Sequence, residues 1–114
     1  MANIYLNAKK DLTTNTVTTL YTCPANSRSI VKSLLVSDDS GSGDTITVNL
    51  FYVDPASANS FVLFKTKAVS ADETLQLLTE PLVMMESEVL QVTAATADRL
   101  YVVASVLEMN REDR

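Results

Sequence analysis

An antiparallel all-β sandwich, jelly-roll-like and built from seven or eight short strands, is the fold this sequence predicts. Three observations predict it. Apolar residues recur at every second position, not at the 3.6-residue spacing of a helix. β-Branched threonine and valine crowd the periodic stretches, where a pleated surface suits them better than a helix does. Turn-forming residues interrupt the chain at short intervals, as in sandwiches and jelly rolls.

The elements follow in order. Residues 1–12 show no strong period and read as an N-terminal arm; the sandwich spans 13–109 and a charged tail occupies 110–114. Thr16–Cys23 is a first strand. After the turn-like Pro24-Ala-Asn-Ser-Arg28, Ser29–Ser37 is rich in Ile, Val and Leu. Asp38-Asp-Ser-Gly-Ser-Gly-Asp44 holds both glycines of the chain and reads as a solvated loop. Thr45–Val53 alternates cleanly: Ile46, Val48, Leu50 and Tyr52 point one way, Thr45, Thr47 and Asn49 the other. Two strands joined by a seven-residue loop read as a hairpin. Asp54–Ser60 breaks the chain and Phe61–Val69 resumes as a strand. Thr74–Leu78, the brief apolar run Leu82–Met85, Val89–Ala94 and Arg99–Glu108 follow, separated by turns at Ser70–Glu73, Thr79–Pro81, Glu86–Glu88 and Thr96–Asp98.

Composition narrows the function. At 114 residues and 46% hydrophobic, the chain has the size and content of one globular domain. Such a domain hides roughly 60–70% of its unfolded surface and holds a core without metal or disulfide. Nine basic against fourteen acidic residues give a net charge of −5, which opposes nucleic-acid binding. Lys9, Lys10, Lys65, Lys67, Arg28 and Lys32 read as solvated surface. No apolar run approaches the ~20 residues of a membrane-spanning helix, and the first ten residues place their charges in the reverse order of a secretory signal.

The chemistry is sparse. With no histidine, Ser-His-Asp and Cys-His nucleophilic systems have no base. One cysteine, Cys23, admits no internal disulfide, fits a reducing compartment and cannot build the usual structural zinc site; it reads as a buried small hydrophobe. The only glycines, Gly41 and Gly43, are too closely spaced for the G-x-x-x-x-G of a P-loop and too few for a G-x-G-x-x-G turn. Asp38, Asp39 and Asp44 offer oxygen ligands but lack the twelfth-position Glu of a calcium loop. Glu80, Glu86 and Glu88 flank turns, in a chain without tryptophan on which to stack a sugar. The chain therefore reads as a non-enzyme without a cofactor.

Two segments, Phe61-Val-Leu-Phe64 and Leu100-Tyr-Val-Val103, are apolar on both faces, more than a sheet with one wet face needs. A second chain covering them is the favoured explanation, so a dimer or trimer is expected. The interface candidates are Ile4, Tyr5 and Leu6 in the arm, Phe61, Phe64 and Tyr101, with the two ends docking against neighbours.

The stretches Asp11-Leu-Thr-Thr14, Leu20-Tyr-Thr-Cys-Pro-Ala-Asn-Ser-Arg28 and Ile30-Val-Lys-Ser-Leu34 form a familiar pattern. It continues in Glu80-Pro-Leu-Val-Met-Met-Glu-Ser-Glu-Val-Leu90 and in Ala97-Asp-Arg-Leu100 through Ser105-Val-Leu-Glu108. Together they resemble small structural proteins of tailed bacteriophages, of the kind found in marine and cyanobacterial phages. Members often carry Gly-Asp where this chain has Ser87-Glu88. The resemblance runs from Asn3 to Glu108 and implies a virion protein assembled in the host cytoplasm. It would be a capsid decoration (cement) protein or a neck or tail accessory, fibre-anchoring subunit. Its partners would be the major capsid protein or neck and tail proteins, with no nucleic acid or membrane, and its acidity suits the side of a shell away from packaged DNA. A receptor- or carbohydrate-binding β-sandwich is the rival of another class.

Overall fold

A computed structural model describes residues 3–53 and 58–110. Two antiparallel sheets face each other across one core. The first contains β1 (Asn3–Asp11), β9 (Leu100–Asn110) and β3 (Ser27–Asp38), with β6 (Thr74–Gln76) and β7 (Leu82–Met84) pairing side by side along the far edge of β3. The second runs β2 (Thr18–Thr22), β8 (Val89–Ala94), β4 (Asp44–Val53), β5 (Ala58–Val69).

The strand period is what seals the core. On β9, Leu100, Val102, Ala104 and Val106 are buried while Tyr101, Val103, Ser105 and Leu107 face outward. Leu90, Val92 and Ala94 on β8 and Ile46 and Val48 on β4 close the opposite wall. Each buried valine or leucine is worth about 1.5–3 kcal/mol, so this wall-to-wall contact is the main term holding the sheets together. On β3 the inward parity changes: Ser27, Ser29 and Val31 point in, then Leu34, Val36 and Asp38. A bulge at Lys32, between the Val31–Val106 and Ser33–Ser105 pairs, makes the change.

Among the described residues nine strands stand where seven or eight are expected, and the additional one, β1, lies within the expected arm. Asn3–Asp11 pairs residue by residue with β9, from Asn3–Met109 to Asp11–Tyr101. Being an edge strand, it turns only Leu6 and Ala8 against the core and is otherwise exposed, so its period-two signal is weak. Part of the break expected at Asp54–Ser60, and all of the charged tail beyond Asn110, lie outside the described residues; β5 begins at Ala58.

The expected hairpin between β3 and β4 does not form. The two strands belong to different sheets, and the loop between them is a crossing. Its cause is Asp38, which is buried rather than solvated. The Asp38 carboxylate accepts backbone N–H bonds from Ser40, Gly41, Gly43 and Asp72 at 2.9–3.1 Å, and the Ser40 hydroxyl at 2.7 Å. Gly43 is required there: its φ is +75°, and a Cβ would lie 3.0 Å from the Val69 carbonyl. The Asp72 bond reaches the β5–β6 turn, which also crosses between sheets. At the same end Arg99 donates to the Gly43 carbonyl at 3.1 Å and Asp39 N–H to the Arg99 carbonyl at 2.9 Å, adding the β8–β9 crossing.

These bonds, the Ser40 hydroxyl first and the Asp72 N–H next, hold the Asp38 carboxyl well below the usual carboxylate range. A depressed folded-state pKa gives stability that is whole above the unfolded value of about 4 and is lost as pH falls toward the folded one. Asp38→Asn is therefore expected to lower the melting temperature clearly at neutral pH. The gap to the unaltered chain should narrow as pH drops below about 4. Melting curves across that range check it; a gap independent of pH would refute the role. A second expectation concerns Ser87, whose φ is +67°. It occupies the position where the resembling proteins often carry glycine, and Glu88 closes the turn by accepting the Met85 N–H at 2.7 Å. Ser87→Gly should stabilise the fold by roughly 0.5–1 kcal/mol, since a left-handed serine is strained where glycine is not. Urea denaturation measures it, and a loss of stability would show that the serine side chain matters.

Candidate functional site

The outward residues of β1, β9, β3 and β7 lie in rows fixed by register. Tyr5, Leu107, Ile30 and Val83 form one apolar row across all four strands. Asn7, Ser105 and Ser33 make the next, a shallow trough of small side chains. Lys9, Val103, Leu35 and Gln76 follow, then Asp11, Tyr101, Ser37 and Thr74. Beyond the first row, Asn3, Met109 and Arg28 complete the face. The bulge sends Lys32 outward over the trough, its Nζ 6.0 Å from the Tyr5 ring centroid. This mixed apolar and charged face is uncovered where it matters: Tyr5 is 73% exposed, Val83 57% and Tyr101 41%.

The six interface candidates divide. Ile4 and Tyr5 are exposed on edge strand β1, and Tyr101 is exposed on β9, its hydroxyl donating to the Asp39 carboxylate. Tyr5 and Tyr101 stand at opposite ends of the face, six residues apart in register and so roughly 20 Å. Leu6 turns inward and packs against the core instead. Phe61 and Phe64 lie in the other sheet, on edge strand β5: Phe61 is exposed, whereas Phe64 packs against the core. Sequence reasoning missed Ile30, Leu107, Val83 and Lys32. The alternation of β9 held the signal for Leu107, but the parity change on β3 concealed Ile30 and Lys32.

The outer face of the second sheet is different in kind. Thr19, Gln91, Asn49 and Val62 share one row, and Thr47 and Thr93 pair in another. A further row sets Val89 and Phe51 between Thr22 and Ser60, and Val62 is exposed, so this face mixes hydroxyl, amide and apolar side chains.

The three aspartates singled out around the glycine loop are each engaged. Asp38 is saturated by donors, Asp44 accepts the Thr96 N–H at 2.8 Å, and Asp39 accepts from Tyr101. At the other end of the sandwich a buried polar chain ties the sheets. Tyr21 Oη donates to Glu108 Oε2 at 2.6 Å and lies 2.7 Å from Ser29 Oγ, which is 3.3 Å from Cys23 Sγ. The phenol has one proton and gives it to the carboxylate, so Ser29 donates to the Tyr21 oxygen. Ser29 then has no proton left, and the Cys23 thiol donates to it. Burial, then the bond to Glu108, pushes the Tyr21 hydroxyl well above the ordinary phenol range; burial likewise raises the Cys23 thiol. A fully buried, protonated thiol at a sheet junction braces the fold and is a poor nucleophile. Tyr21→Phe should cost about 1–2 kcal/mol in urea unfolding, because it strips the Glu108 carboxylate and Ser29 of their shared partner. It should also quicken labelling of Cys23 by thiol reagents; unchanged stability and labelling would show that the chain is idle.

No protein-family model matches the sequence, and no curated protein does. Among solved structures, that of the infectious bursal disease virus Gx strain aligns with 93% of this chain and 28% of its own, at 11% identity and a TM-score of 0.52. A pentameric capsid protein isolated from metagenomic phage sequences aligns over 95% of this chain and 60% of its own, at 19% identity and a TM-score of 0.36. The carbohydrate-binding and catalytic modules of Clostridium thermocellum xylanase 10B, in complex with xylohexaose, align over 82% and 18%, at 16% identity and a TM-score of 0.47. The chain spans less than two thirds of each of these. The bursal disease virus likeness places it among jelly-roll-like β-sandwiches.

Proposed function

We propose that the chain is a structural virion protein of a tailed phage, a capsid decoration subunit that acts by protein–protein contact and not by catalysis. The observation that supports this best is the broad, uncovered outer face of the β1–β9–β3–β7 sheet, on a scaffold whose one thiol is sealed and whose sequence supplies no histidine base. Large exposed apolar patches on a well-packed domain mark interaction surfaces. The near-whole-chain resemblance to phage structural proteins points to the same setting, and the fold is one that also occurs in the structure of infectious bursal disease virus. In this reading the partner is the major capsid protein. Self-association into a dimer or trimer falls to the far edge, where Phe61 and Val62 are exposed on β5.

A neck or tail accessory subunit has the same physical needs and differs in copy number. A sugar-binding module fits less well, because the two exposed tyrosines of the face are too far apart to stack one short oligosaccharide. Gel densitometry of whole virions against the major capsid protein tests the proposal. A ratio approaching one copy per capsid subunit or per capsomer is expected. A dozen copies or fewer per particle would move the chain to the neck or tail, and its absence from purified virions would refute a structural role.

A further inference from the structure

We infer that the free chain pairs with a second copy of itself through the outer face of the β1–β9–β3–β7 sheet, about a two-fold axis that runs across the strands. Among the residues that register places on this face, charge is sorted along the strands. Arg28 stands at one end, with Lys32 reaching the Tyr5 ring further in. Asp11 stands at the other end, where Asp39 and Asp98 lie beside Tyr101. The neighbouring Arg99 is drawn to the Gly43 carbonyl. From Met109, paired with Arg28, to Tyr101, paired with Asp11, is eight steps along β9, roughly 27 Å. A face with opposite charge at its two ends repels a copy laid parallel on it and attracts one laid antiparallel.

Relief sets the register of that pairing. Asn7, Ser105 and Ser33 make a low row, and beside it Lys9, Val103 and Leu35 make a raised one, with Leu35 exposed. Sheets pack about 10 Å apart, which leaves room for one interleaved layer of side chains. An axis midway between the two rows lays each raised row over the partner's low one. The same axis sets the Tyr5–Leu107–Ile30 row over the row of the partner's Asp11, and so puts Lys32, at Tyr5, opposite that carboxylate. Arg28 comes to lie where the partner's Asp39 follows the end of β3. Lys9 meets an amide, the partner's Asn7. Every contact occurs twice, as a two-fold interface requires. A polyanion would meet the three carboxylates at one end and a polycation the two cations at the other, whereas a reversed copy of this chain matches both. The pairing needs nothing but this chain. Where the virion reading above also holds, the capsid subunit takes the partner's place on this face, and self-association within the particle is left to the β5 edge.

Sedimentation equilibrium of the purified full-length chain at low salt should show a dimer that dissociates as salt is added. Lys32→Glu alone and Asp11→Lys alone should each weaken it at least about tenfold. Lys32→Glu/Asp11→Lys together should restore it, because the pair re-forms with its signs exchanged. Ser105→Tyr fills the low row, leaves every charge in place and should abolish the dimer. Phe61→Ser, an exposed change on β5, should leave it whole, and circular dichroism checks that each variant is folded. A monomer or a trimer in place of the dimer would overturn the inference. So would a dimer that survives Ser105→Tyr or is lost in Phe61→Ser, or a double charge variant no better than the single ones. Adding the chain to particles that lack it tests the virion reading separately. Failure to attach refutes that reading and leaves the pairing standing, whereas a monomer that attaches refutes the pairing alone.

Discussion

One buried carboxylate organises the end of the sandwich where the chain changes sheets. Asp38 closes the β3–β4 crossing through Ser40, Gly41 and Gly43, and reaches the β5–β6 crossing through Asp72. Hydrophobic burial pulls the two sheets together but is non-directional; it does not say which strand follows which across the gap. The directional information comes from an anion saturated by backbone donors, each worth more than a neutral bond because the acceptor is charged. Arg99, bonded to the Gly43 carbonyl, adds the β8–β9 crossing to the same cluster. At the opposite end Glu108 plays a similar part through Tyr21, Ser29 and Cys23. An acidic chain with few glycines and no disulfide thus fixes its topology with carboxylates placed at both ends of an apolar slab.

With topology fixed, the two outer faces become free to differ. The β2–β8–β4–β5 sheet shows threonine and amide side chains with Val62, Val89 and Phe51, and the β1–β9–β3–β7 sheet shows tyrosine, valine, leucine and isoleucine among lysine, arginine and aspartate. A sandwich has no pocket of depth between its layers, because the core fills that space at close-packed density. What it offers a partner is therefore area. The edge strands are guarded accordingly: β1 carries Lys9, Lys10 and Asp11, and β5 carries Lys65 and Lys67 with a left-handed Thr66 that interrupts its pleat. Such features discourage open-ended strand addition along these edges.

Much of this was legible in the sequence. Thr45–Val53, Val89–Ala94 and Arg99–Glu108 announced themselves by alternation, and the turns by their residues, because both signals are local. Non-local facts were not legible. A loop rich in Gly, Asp and Ser is the same string whether it folds back into a hairpin or crosses a core. Only the register of partners far along the chain, Glu73 and Asp72 among them, turns Asp38–Asp44 into a crossing. The edge strand Asn3–Asp11 was read as an arm because only Leu6 and Ala8 meet the core. Of the interface candidates, Ile4, Tyr5, Phe61 and Tyr101 are exposed, whereas Leu6 and Phe64 are spent on the core. No periodicity separates a large apolar side chain facing in from one overhanging an edge.

The bulge at Lys32 shows why core and surface cannot be read independently. A strand with strict parity through β3 could not point Val31, Leu34 and Val36 all inward; inserting one residue resolves the conflict. The same insertion sends Lys32 outward, across Ser105, to the Tyr5 ring. Ser105 and Ser33 are small, which leaves the room that the long lysine stem crosses. One irregularity therefore keeps three apolar residues in the core and sets a cation over the trough of the outer face. Flattening the bulge with every residue kept would turn one half of β3 to the wrong side, whereas deleting Lys32 would restore strict alternation, keep Val31, Leu34 and Val36 inward and cost the face that lysine. The position that alternation rules mark as an error is where packing and recognition are coupled.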